Sequence, residues 1–191
     1  MNQNKKRFLI FAAVCAICFI ASAVYIIQYY TRIQQADKEM EQLKAEAVTE
    51  EIVTEPVGEV KSTVSETTLS ENITDRNITI DFTTLQKKNQ DIYAWISVPG
   101  TKIDYPVLQS STDDIYYLEH TAEKTKGLPG AIYTEKINSK EFDDYNTVIY
   151  GHNMKNGSMF AGLHDFADKK FFEENTVIQV QTPDKLLTYT I

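Results

Sequence analysis

An uninterrupted run without charge, FLIFAAVCAICFIASAVYIIQYY over residues 8–30, constrains this chain more than any other feature. A helix rises about 1.5 Å per residue and a bilayer's hydrocarbon core is roughly 30 Å thick, so the run is long enough to cross one. Lys5, Lys6 and Arg7 precede it, and the next charge is Arg32. Positive charge on the N-terminal side places residues 1–7 in the cytoplasm and everything after the run outside, as a single-pass membrane protein. Ala21-Ser22-Ala23 also fits an A-x-A cleavage site, so a cleaved signal peptide with a mature N terminus at Val24 is the competing reading. Against cleavage, the apolar run continues through Val24, Ile26 and Ile27. Tyr25, Tyr29 and Tyr30 also suit an aromatic belt at the outer interface. On either reading the remainder is exported.

Cys15 and Cys18 are the only cysteines, in a C-x-x-C spacing that resembles a redox or metal motif. Both fall inside the apolar run, where a thiolate is poorly solvated and a zinc ion would need further ligands. They are read as small apolar side chains, which leaves the exported part without a cysteine or a disulfide. The net charge of −8 divides into +4 over residues 1–32, −7 over 33–76 and −5 over 77–191. An acidic exported portion argues against a nucleic-acid partner, and against adhesion to an anionic membrane surface by charge.

Residues 31–47 are rich in helix formers, with Ile33, Ala36, Met40 and Leu43 at helical spacing, and are expected to continue the first helix outward as a stalk. Residues 48–76 turn to Glu, Thr, Val and Ser with few large apolar side chains, the composition of a flexible acidic spacer. The expected organisation is a tail (1–7), a membrane anchor (8–30), stalk and spacer (31–77) and a folded domain (78–191).

Within the domain, Phe82, Leu85, Ile92, Trp95 and Ile96 suggest a helical lead-in capped by Asp81 or a nearby Thr. Two short strands are expected around Pro99-Gly100, the composition of a type II turn. A short helical turn follows over DDIYYLEH, then strands at residues 130–133 and 147–150. Ser158 is positioned to cap a helix through Phe160, Leu163 and Phe166, Phe171-Phe172 closes a second helical turn, and TVIQVQ and LLTYTI form a hairpin about Thr182-Pro183-Asp184-Lys185. The fold class is mainly β: a barrel or sandwich decorated with helices.

His152 follows the expected strand at 147–150 and a small Gly151, with polar Asn153, Lys155 and Asn156 after it. Imidazole titrates near neutrality, so a histidine at a strand end is able to move protons to and from a reacting group, or simply to hydrogen-bond in a loop. His120 and His164, beside Glu119 and Asp165, read as solvated, and no tight histidine spacing suggests zinc. Asp113-Asp114 and Asp143-Asp144 lack the alternating carboxylates of a calcium loop and read as surface. There is no G-x-S-x-G elbow for a serine hydrolase, and the N-x-S/T sequons at Asn72, Asn77 and Asn156 matter only in a glycosylating pathway.

The runs DIYAWISVPGTKIDYPVLQ, TDDIYYL, GAIY, NTVIYGHNMKNGSMFAGL and FFEENTVIQV occur in this order from residue 91 to 180. Together they resemble the first part of a class B sortase, the membrane-anchored cysteine transpeptidases of Gram-positive bacteria. The resemblance implies a sortase-type β-barrel with added helices, here missing its final strands, and no metal or organic cofactor. It implies a cysteine that attacks the threonine carbonyl of a sorting motif near a substrate's C terminus. His152 would protonate the departing amine and later deprotonate the incoming one, and an arginine would stabilise the oxyanion. The implied partners are exported proteins bearing that motif and a peptidoglycan precursor or cross-bridge amine.

Two departures accompany it. The family's cysteine and arginine lie in a later T-L-x-T-C context that this sequence does not reach, so the chain as given is expected to be an inactive, C-terminally truncated portion. The alternative is a non-catalytic, membrane-tethered extracellular binding module of sortase-like fold. Where the family often carries asparagine ahead of the Y-Y-L segment, this chain has Asp113 and Asp114, and Asp114 is expected to add negative charge near His152. Leu118 matches a position that helps line the sorting-motif groove.

Overall fold

The computed structural model describes residues 3–49 and 79–191; the expected spacer, residues 50–78, lies outside the described residues. A single helix, α1, runs from Gln3–Ala47 and is long and apolar enough over its first part to cross a membrane by length and composition. Its far end does not stand free as a stalk. Ile33, Leu43 and Ala47 are buried in the domain's core, and Tyr29 and Met40 pack against it. Lys44 reaches across to Asp104 at 3.5 Å. The spacing of Ile33, Ala36, Met40 and Leu43 is therefore the signature of a packed face.

At Ala47 the chain enters β1 (Val48–Thr49), which pairs antiparallel with β2 (Thr79–Ile80), Val48 opposite Ile80. The Asp81 amide donates to the Ala47 carbonyl at 2.8 Å. The two described ends flanking residues 50–78 thus meet at one point on the domain.

Asp81 caps α2 (Phe82–Lys88), its carboxylate accepting from the Thr84 amide at 3.0 Å and the Thr84 hydroxyl at 2.6 Å. The lead-in ends there, and Ile92 already belongs to strand β3 (Ile92–Ser97), which carries Trp95 and Ile96 as the first of the two strands expected around Pro99-Gly100. Asn89 breaks the helix. Its backbone is extended, its side chain accepts from the Asp91 amide, and it donates to the Tyr117 hydroxyl and the Ala122 carbonyl. β3 is buried on both faces, so it shows no alternation to mark it as a strand.

β3 pairs antiparallel with β4 (Asp104–Leu108) through a tight turn in which Thr101 N–H donates to Val98 O and Gly100 sits at φ +83°. β4 pairs parallel with β5 (Ile132–Tyr133), and β3 pairs on its other side with β6 (Val177–Gln181), which forms a hairpin with β7 (Leu186–Thr190). The result is a mixed five-stranded sheet, β5-β4-β3-β6-β7, with β7 at one edge. One core layer gathers Tyr93, Ile96, Val107, Ile132 and Val180 with Ile33. The other gathers Ile92, Trp95, Leu108 and Tyr117 with Leu43, Phe82 and Leu85. A short 3-10 turn, Tyr116–Leu118, stands where the helical turn was expected, and a helix α3 (Lys169–Glu174) is capped by Asp168.

Two expectations are corrected. Residues 147–150 form no strand; only Tyr150 bridges Tyr133. A buried side-chain amide takes the place of a neighbouring strand, since Asn138 donates to Asn146 O and accepts from Val148 N–H. Ser158 caps nothing: its hydroxyl donates to Asn156 Oδ1 at 2.7 Å, and Met159, at φ +56°, precedes a 3-10 helix over Phe160–Ala167.

Candidate functional site

Tyr133 and Tyr150 exchange two backbone hydrogen bonds, at 3.0 and 2.8 Å, and their rings stack with centroids 5.3 Å apart. This clamp holds the chain just ahead of Gly151-His152. Any side chain at Gly151 would collide with Ile132 Cδ1 and with the Phe160 ring, so glycine lets the backbone lie flat on the sheet as it turns outward. The loop that follows is closed on itself. The Phe160 amide donates to His152 O at 2.9 Å, Asn153 bridges Met159, and the Tyr105 hydroxyl accepts from the Met159 amide. Met154 and Met159 are buried beneath it.

His152 is left partly exposed with one polar partner, its Nε2 lying 2.8 Å from the Leu118 carbonyl oxygen. A carbonyl only accepts, so Nε2 is assigned the hydrogen and a neutral ring carries its lone pair on Nδ1. No described residue hydrogen-bonds to that Nδ1. The Leu118 carbonyl is held in place in turn: a Cβ at Gly130 would come within 2.6 Å of it, so only a glycine lets this strand of loop pass so close. The Ala131 amide donates to Tyr117 O at 2.9 Å and fixes the register.

The structure therefore brings His152 and Leu118 together. Asp114 is engaged elsewhere: its carboxylate accepts from the Lys136 amide at 3.0 Å and lies 3.8 Å from Lys136 Nζ, and no ion pair joins His152 to a carboxylate among the described residues. His164, read as solvated, is exposed but hydrogen-bonds to Asn153 at 2.9 Å, steadying the residue next to His152. No local signal links two residues that far apart in sequence. His120 stacks on the Tyr116 ring with centroids 3.9 Å apart and bonds to Tyr116 O, so it supports the turn carrying Leu118. Asp144 accepts from the Asn138 amide group and from Ser139 N–H, a structural role.

Buried tyrosines around the site are held neutral. Burial pushes the Tyr93 hydroxyl up to about 12, offset in part by its hydrogen bond with Thr134. Burial raises Tyr117 further, reinforced by its 2.6 Å hydrogen bond to Asp91. Neither is a proton donor or acceptor near neutrality.

The fold that positions this histidine is one the chain shares with known proteins. A family model described as the sortase domain matches residues 96–191, half the chain, and the chain belongs to the sortase family. Within it, the relatives it resembles are of class B. It is 51% identical over 87 residues to sortase B of Listeria monocytogenes, covering 46% of this chain and 35% of that one. It is 35% identical over 98 residues to sortase B of Staphylococcus aureus, covering 51% of this chain and 40% of that one. The crystal structure of sortase B from B. anthracis, solved in complex with AAEK1, superposes with a TM-score of 0.64 at 26% identity, covering 84% of this chain and 67% of that one. The chain thus spans between 35% and 40% of the length of the curated relatives it matches.

Proposed function

We propose that this chain is the histidine-bearing portion of a class B sortase, a cysteine transpeptidase that cleaves a C-terminal sorting motif after threonine and joins the protein to a cell-wall amine. The observation that carries the proposal is His152, partly exposed and fixed through Nε2 to the Leu118 carbonyl, with Nδ1 unengaged by any described residue. In the proposed cycle a cysteine thiolate attacks the threonine carbonyl and an arginine stabilises the resulting oxyanion. His152, protonated at Nδ1 while the cysteine is a thiolate, gives that proton to the departing amine; left neutral, it takes one from the incoming amine as the thioester resolves and the cysteine leaves as thiolate again. The leaving amine and the entering amine pass the same nitrogen, which a single general acid/base serves in both half-reactions. The Leu118 side chain, exposed beside its own carbonyl, offers apolar surface for the motif.

The sequence contains cysteine only at 15 and 18 and arginine only at 7, 32 and 76. In the proposed whole enzyme the thiolate and the arginine therefore come from sequence outside these 191 residues, and the residues by themselves are inactive. α1 is the membrane anchor, with residues 1–7 cytoplasmic and the domain outside. A second reading, a membrane-tethered binding module with a sortase fold, draws on the same lack of cysteine and arginine in the folded part.

The test is to read the gene past the codon for Ile191 and express the whole frame. A frame encoding a T-L-x-T-C strand and a later arginine should give a protein that cleaves a fluorogenic sorting peptide, and His152→Ala should lower kcat by about 100-fold or more, the usual contribution of a positioned acid/base. A stop codon there, or a His152→Ala variant as active as wild type, would remove the catalytic reading.

A further inference from the structure

The folded domain reaches α1 before the apolar run has ended. Tyr29 packs against the domain's core, and Ile33, one turn on, is buried in it. Tyr25, Gln28, Tyr29, Arg32 and Ile33 line a cavity of about 310 Å³ whose remaining wall is Leu128. Leu128 belongs to the loop between the Leu118 turn and β5 and is itself exposed, 38%. Residues 25–33 span about 12 Å of helix axis, centred near the last residues of the uncharged run. The polar belt on each side of a bilayer is only some 5–7 Å deep, so a residue level with that stretch lies at the depth of the headgroups.

We propose that the loop carrying Leu128 is a membrane-docking surface. Its occupant is the outer-leaflet interface of the bilayer that holds α1, with Leu128 inserted beside Tyr25 and Tyr29. The contact is apolar. The domain is acidic, −5 over residues 77–191, and Lys124 and Lys126 flanking the loop tip are already paired with Asp91 and Glu119. Attraction to anionic lipid is therefore not what holds it. Two tyrosines of the helix and one leucine of the loop instead extend a single apolar surface from the span onto the domain. The same loop returns through Gly130 beneath the Leu118 carbonyl that holds His152, so the site and the docking surface are two faces of one piece of chain. The inference rests on α1 being the membrane anchor and does not depend on the transfer chemistry.

The full chain, with Cys15→Ser and Cys18→Ser in the background, is reconstituted in phosphatidylcholine vesicles, and single cysteines are labelled with the polarity-sensitive NBD fluorophore. Leu128→Cys is compared with Ile20→Cys inside the span and with Lys87→Cys. Lys87 adjoins Lys88, which pairs with Glu46, about 21 Å farther along the helix axis than Arg32. The expected result is blue-shifted Leu128→Cys emission, quenched by lipids with a doxyl group near the headgroup, while Lys87→Cys shows neither effect. Quenching requires lipid contact, which separates docking from burial in the protein cavity. If Ile20→Cys is quenched by deep doxyl lipids while Leu128→Cys behaves like Lys87→Cys, docking is overturned and the anchor stands. If Ile20→Cys is not quenched either, the anchor fails and the docking falls with it.

Discussion

Leu43 offers the sharpest test of whether the last turns of α1 are part of the folded domain. It is 2% exposed, packed with Leu85, Ile92, Trp95 and Leu108 in the core layer beneath the sheet. Leu43→Ala removes three buried carbons, about 2.4 kcal/mol at roughly 0.8 kcal/mol each. The unfilled space raises the expected loss to about 3–4 kcal/mol, within the range of buried Leu→Ala changes. Trp95 is the only tryptophan and is 3% exposed, with its indole N–H donating to Asp104 Oδ1 at 2.7 Å, so its emission reports unfolding of the sheet. In urea, with a slope of about 2 kcal/mol per molar, Leu43→Ala should lower the midpoint of the full chain in vesicles by about 1.5–2 M. Gln42→Ala, one residue away and exposed, should change it by no more than about 0.3 M. A Leu43→Ala midpoint indistinguishable from that of Gln42→Ala would show that α1 merely passes the domain, and the packing argument would be wrong.

Gly151→Ala should destabilise by about 1–3 kcal/mol, because the added methyl must displace Ile132 Cδ1 and the Phe160 ring in a packed layer. The same urea titration measures it, and the His152 Nε2–H signal in nuclear magnetic resonance should shift as the Leu118 hydrogen bond is disturbed. Asp37, on α1 and hydrogen-bonded from Asn156 at 3.3 Å, has its carboxyl raised above the ordinary 3.8 by burial first and by Glu41 second. Its ionisation therefore disfavours the folded state at pH values above that raised value, and the penalty disappears below 3.8. Asp37→Asn keeps an acceptor for Asn156, so it should stabilise the chain at pH 7 and make no difference near pH 3.5; equal gains at both values would sink the burial argument.

What was legible in the sequence has local causes. The uncharged run of residues 8–30, the Asp81 cap, the Pro99-Gly100 turn and the β6–β7 hairpin each depend on neighbours within a few positions. Strand β3 was legible only in its second half, before the Pro99-Gly100 turn; its start at Ile92 was not, since burial of Tyr93, Trp95 and Ile96 against layers on both faces leaves no polar alternation to mark where the strand begins. Nor was the irregular path at 147–150, whose backbone is satisfied by the amide of Asn138 from a separate loop. Of the site, His152 was visible as a polar residue after an apolar segment. Its partner was not, for the Leu118 contact is made by a backbone carbonyl, which every residue carries. The pairing of Asp114 with Lys136 was not visible either, because the two lie far apart in sequence and meet only in the fold.

The pairing of β1 with β2 has a consequence for how this chain tolerates change. The Ala47–Asp81 hydrogen bond and the β1–β2 pair tie the end of α1 to the start of the sheet domain. With Ile33, Leu43 and Ala47 buried in the core as well, α1 is held to the sheet by its own contacts and not by the covalent link alone. A chain cut once between α1 and β2 should therefore keep its two pieces together, and the anchor would still carry the part that bears His152.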